Sequence, residues 1–86
     1  MSRKTNKRAE RDIRRKVGAE ITRRSLAAGL QMTALAEAAQ INLSRMSKVL
    51  RGEGGLSLYS LKRVADALGC SSADLLAEAP APGRRP

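Results

Sequence analysis

Apolar residues fall along this chain in short clusters with helical spacing. Ile13, Val17 and Ile21 recur at steps of four, one stripe of a helix that is expected to start near Asp12. Asp12 reads as its N-cap or first-turn acid. Gly29 reads as its stop, because glycine takes the left-handed position after a helix cheaply. Leu35, Ala36 and Ala39 share one face of a second segment, about 32–39, and most of them are small enough to let another helix approach closely. "QIN" at 40–42 interrupts the pattern. A third helix is expected over about 43–50, with Asn42 as an N-cap that accepts a hydrogen bond from a free backbone N–H. Ser57 caps a fourth, in which Leu61, Val64, Ala65 and Leu68 follow the i, i+3, i+4, i+7 rule and Gly69 ends the run. "SSAD" from Ser71 has the form of a capping box before a short last helix with Leu75 and Leu76. "LSLYSL" alternates like a strand, but the helical stripe that continues to Leu68 argues against one.

Five helices and short loops make an all-α chain. Composition agrees: there is no Trp, no Phe and a single Tyr, Tyr59, so the core is aliphatic and suits helix-on-helix packing. At 86 residues one small domain is expected. Residues 1–11 read as a flexible basic arm, 12–78 as the folded domain, and 79–86, with Pro80 and Pro82, as a flexible tail. The lone Cys70 has no internal disulfide partner and fits a reducing cytoplasm as a small, partly buried apolar residue. No apolar run reaches the roughly 18 residues of a membrane span, and no apolar h-region follows the basic N-terminus, so neither a membrane partner nor a signal peptide is expected.

Charge changes the picture more. The formal net charge is +9. Residues 1–24 hold ten Lys/Arg against three acids, whereas the rest holds seven against five. A basic N-terminal stretch on a nearly neutral body points to a polyanion, or else to a solubilising terminus. Enzymatic chemistry is not expected. The chain has no His, one Cys and eight acids spread singly, too little for a nucleophile–base pair or a metal cluster. A phosphate loop of the G-x-x-x-x-G-K-[ST] type is absent. No cofactor, metal or small-molecule ligand is implied.

Two short helices with a three-residue junction form a helix-turn-helix, here about 32–39 and 43–50. "LAEAAQINLSRMSKVLRG" resembles the signature of the lambda-repressor-like, Xre-type DNA-binding domains, the family of phage repressors and Cro. Leu35-Ala36, Ala39, Ile41, Asn42, Met46, Val49 and Gly52 occupy its pattern positions. "LSLYSLKRVADALGCSSADLL" resembles the family's fourth and fifth helices, and Val17, Gly18, Ile21, Gly29 and Leu30 its first. The resemblance covers about residues 17–77. It implies a compact five-helix fold with the helix-turn-helix in helices 2 and 3, and double-stranded DNA as partner. One such domain buries too little surface for high specificity alone, so a homodimer on a palindromic operator is expected. Five positions depart from the pattern. Gln40 stands where the turn usually has Gly. Gln31 and Met32 replace the usual Ser/Thr cap and phosphate-binding Gln. Ser25 and Leu50 replace a partly buried Arg–Glu pair, an exchange that need not damage the fold.

On a wheel at 100° per residue, Val49 and Leu50 fall within about 60° of Met46, on the inner face. Ser44, Lys48 and Arg51 fall within about 40° of the opposite pole, Arg45 and Ser47 on the flanks, and Leu43 on the border. An α-helix fits the major groove, and the N-terminal part of a recognition helix meets base edges. Leu43, Ser44, Ser47 and Lys48 are therefore the expected base contacts: Leu43 for a thymine methyl, Lys48 for guanine O6/N7. Thr33, Asn42, Arg45, Arg51 and Gly52 are the expected phosphate contacts, with amides of the Gly52–Gly55 loop and the start of the fourth helix. Met32 and Met46 read as packing residues. Tyr59 reads equally as a phosphate donor or a core edge. The last helix, with Leu75 and Leu76, is the expected dimer surface. The leading expectation is a sequence-specific transcriptional regulator. The rivals are an antitoxin-like or bridging protein-interaction module, and a non-specific nucleic-acid binder working through the basic arm.

Overall fold

In a computed structural model, which describes residues 5–76, the five elements are α1 (Thr5–Ala28), α2 (Met32–Ala39), α3 (Leu43–Leu50), α4 (Leu58–Leu68) and α5 (Ser72–Leu76). No strand occurs among the described residues. The starts of the last three helices follow from their caps. Asn42 Oδ1 accepts from the Arg45 amide at 2.7 Å, and Ser57 Oγ from the Ser60 amide at 3.1 Å. At α5 the box closes in both directions: Ser71 Oγ accepts from the Asp74 amide at 3.1 Å, and Asp74 Oδ2 from the Ser71 amide at 3.0 Å. Those bonds with Ser71, its amide first, hold the Asp74 carboxyl below its ordinary range.

The start of α1 differs from the pattern-based expectation. It lies at Thr5 rather than near Asp12, so Asp12 is an interior residue and not a cap. Residues 5–11 contain Lys, Arg, Ala and Glu, which are good helix formers, and no Gly or Pro. Extending a helix that tertiary packing has already nucleated adds one hydrogen bond per residue fixed. Most of the segment read as an arm is thus a helical extension. Residues 1–4 of that arm and the tail at 79–86 lie outside the described residues.

α2 packs against α4, and α1 packs against both α3 and α5. Their shared core holds Ile21, Leu35, Ala39, Met46, Val64 and Ala65 with no exposed surface, closed by Val49 and Leu75. Two apolar residues read as core or junction packing are not there. Met32 opens α2 and is exposed, and Ile13 is 47% exposed, one turn beyond Val17 where α1 runs past the edge of the core. On α5, Leu75 is buried and Leu76 faces outward.

Two close contacts set the pose of α3. At Gly18, a Cβ would lie 2.5 Å from the Val49 carbonyl oxygen and 2.9 Å from that of Leu50. Only the missing side chain lets the backbones of α1 and α3 approach so closely. Gln40 makes the tight turn between α2 and α3 from the left-handed region (φ 60°, ψ 42°), and the Ile41 amide returns to the Ala36 carbonyl at 3.0 Å. For a residue with a Cβ that conformation costs about 1–2 kcal/mol. Gln40 therefore holds the turn at a modest conformational cost.

Candidate nucleic-acid interface

α3 is anchored by one face and open on the other. Met46 and Val49 are buried, while Ser44, Arg45, Lys48 and Arg51 are exposed. Asn42, Ser44, Arg45 and Lys48 line one open concavity of about 400 Å³ together with Gly54 and Gly55 of the α3–α4 loop. The Arg45 guanidinium donates to the Gly55 carbonyl at 3.2 Å, which ties the loop to the flank of α3. Two cations, short polar side chains and two glycines thus border a space that opens to solvent. That chemistry is complementary to the phosphate-lined wall of a DNA groove.

The other expected site residues are placed differently. Thr33 is exposed on the first turn of α2, whose N-cap Gln31 makes no side-chain capping bond. Leu43 is 43% exposed at the N-terminus of α3. Arg51 caps α3 and donates to Ser47 Oγ at 2.6 Å and to Glu53 Oε1 at 3.2 Å. Its guanidinium is therefore engaged at the surface by both side chains, and a phosphate has to compete with Glu53 for it. Gly52 does not offer its amide to DNA: it is buried, and its N–H donates to the Val49 carbonyl at 3.0 Å. Its role is conformational, since φ is +78° and a Cβ would press on Arg15 Cα and Cγ at 3.0 Å. The amides of Gly54 and Gly55 remain as the candidate loop donors; among the described residues neither donates to a protein acceptor. Tyr59 is 78% exposed and fills no core edge.

Sequence reasoning missed Glu53 as the partner of Arg51, and the contact of Arg14 and Arg15 with the loop. Glu53 is visible two residues after Arg51, but the pairing depends on the turn at Gly52. The α1–loop contact is tertiary, and no local spacing signals it.

A buried-faced helix, a tight turn from its predecessor and an open basic outer face define a helix-turn-helix DNA-binding domain. The model of the Cro/C1-type HTH DNA-binding domain matches residues 20–79, and the chain belongs to that family. Two crystal structures of the clp gene regulator ClgR from Corynebacterium glutamicum are similar. One has a TM-score of 0.71 at 33% identity over 74% of this chain and 68% of that one. The other has a TM-score of 0.68 at 33% identity over 74% of this chain and 83% of that one. No curated protein matches. The chain is a DNA-binding transcriptional regulator of the helix-turn-helix class. No helix among the described residues is long and apolar enough to cross a membrane.

Proposed function

We propose that this regulator binds a specific DNA sequence by seating α3 in the major groove, and that it does so as a homodimer on a palindromic site in the cytoplasm. The carrying observation is the division of α3 by face: Met46 and Val49 lock it to the core, while Ser44, Arg45 and Lys48 border the open concavity. Leu43, Ser44, Ser47 and Lys48 sample base edges, with Lys48 the strongest discriminator. Thr33, Asn42, Arg45, the Gly54–Gly55 amides and a released Arg51 hold phosphates and set the register. The turn at Gly52 positions that loop.

A single small domain reads too few bases for high specificity, which favours a dimer with two half-sites. Support for the surface comes from an apolar groove of about 140 Å³ where Ile13, Leu56 and the outward Leu76 meet. A second copy that inserts its own Leu76 there would bury both side chains.

Selection from a random duplex pool tests the reading. A palindromic consensus is expected, and Lys48→Ala is expected to relax preference at one position of each half-site by about 1–3 kcal/mol without altering stability. Recovery of no consensus by the wild type would overturn sequence-specific binding.

A further inference from the structure

α1 begins fifteen residues before the matched family region at 20–79, and its extension is strongly basic. Lys7, Arg8, Arg11, Arg14 and Arg15 stand in this half of the helix beside Glu10 and Asp12. Three of the basic residues share one face, whereas Arg8, at about 80° from Gly18, and Lys16, at about 160°, lie off it. At 100° per residue, Lys7, Arg11 and Arg14 lie within about 40° of Gly18. Gly18 marks the face that meets α3, because a Cβ there would run into the Val49 and Leu50 carbonyls. Arg15 and Arg14, one turn earlier, abut Gly52 and Gly55 of the loop that borders the proposed DNA surface. Glu10 and Asp12 lie off this face, at about 80° and 120°.

The C-terminal half of α1 is different. There Glu20 takes hydrogen bonds from Arg23 and Arg24, and these hold its carboxyl below the usual range. Among the described residues none of Lys7, Arg8, Arg11 and Arg14 is paired with an acid.

We infer that the N-terminal half of α1 is a rigid phosphate track, which follows the DNA backbone outward from the Gly52–Gly55 loop and contacts duplex flanking the half-site through Lys7 and Arg11. The inference rests on the proposed placement of α3 on DNA. From Arg14 to Lys7 the helix rises about 10 Å, the length of about three base pairs along one strand. The track carries no base-reading group, so it adds affinity and salt dependence without selectivity.

The full chain with Lys7→Gln/Arg11→Gln tests it on a 40-base-pair duplex that carries the selected consensus between mixed-sequence flanks. Each lost phosphate contact lowers the slope of log K against log salt by about 0.9, so a drop of about 1.8 is expected. The hydroxyl-radical footprint should shorten by about three base pairs on the flank, while discrimination against a scrambled site stays unchanged. Removing the same two charges at Arg23 and Lys62, both paired with acids, should leave slope and footprint as in the wild type. Ala9→Pro keeps every charge but breaks the helix, and it should also shorten the footprint. An unchanged slope and footprint in the Lys7/Arg11 variant overturns the track, as does a wild-type footprint with Ala9→Pro. If that double variant instead loses only its binding to vesicles of anionic phospholipid, the stripe serves a membrane and the assignment fails. A wild type that binds no duplex overturns the groove reading itself, whereas a wild type that binds while the variant matches it overturns the track alone.

Discussion

Gly18→Ala sets two known effects against each other, and their sizes decide the outcome. In a helix interior, Ala is favoured over Gly by about 1 kcal/mol. Taken alone this would stabilise α1. Against it stands the α3 contact, where the new methyl group would lie 2.5 Å from the Val49 carbonyl oxygen and 2.9 Å from that of Leu50. These neighbours are backbone atoms of a packed helix, not the ends of flexible side chains. They retreat only if α1 and α3 separate, and overpacking of that kind costs about 1–3 kcal/mol. With two carbonyls involved, a cost of about 3 kcal/mol is expected, for a net loss of about 2 kcal/mol. In a domain this small that lowers Tm by about 8–16 °C. Far-UV circular dichroism of thermal melts measures it, with Ala19→Gly as the propensity control one position away on the exposed face. The folded variant should also bind DNA more weakly, because α3 is displaced. A Gly18→Ala protein that melts at or above the wild-type temperature would refute the close-contact reasoning.

Three other outcomes follow from single side chains. Ser25 is buried and its hydroxyl has no hydrogen-bond partner among the described residues, so Ser25→Ala should raise stability by about 1 kcal/mol in urea melts. Gln40→Gly should relieve the left-handed strain by about 1–2 kcal/mol, less about 0.5–1 kcal/mol for the freer unfolded chain, for a small net gain in Tm with unchanged DNA selectivity. Glu53→Gln removes the carboxylate that holds Arg51, so affinity for all duplexes should rise and the salt slope steepen, in a gel-shift titration series, by up to about 0.9.

The helices after α1 were legible because their signals are local. Asn42, Ser57 and the Ser71–Asp74 box each supply a start that depends on three or four consecutive residues, and the spacing of Leu61, Val64 and Ala65 already marks the buried side of α4. The start of α1 was not legible in this way. Residues 5–11 carry no apolar stripe, and an amphipathic pattern reports only the part of a helix that is covered. Ile13 shows the converse error: it keeps the stripe's spacing where the core has already ended. The outward face of α3 could be drawn from a wheel, because Met46 and Val49 fix its rotation. Which polar groups are free on that face could not. The Arg51–Glu53 pair, the commitment of the Gly52 amide and the contact of Arg14 and Arg15 with the loop all depend on how separate segments close in space.

Tyr59, the chain's single aromatic residue, stands almost bare at the first turn of α4, two residues beyond the cap at Ser57 and four beyond Gly55. The protein is therefore optically silent where most domains are brightest: unfolding moves no aromatic ring from oil to water. Tyrosine emission instead comes entirely from a ring beside the loop proposed to meet DNA. A phosphodiester or base arriving there would change that emission against no competing signal, so the unmodified protein carries its own fluorescent probe of binding, one that is blind to its folding.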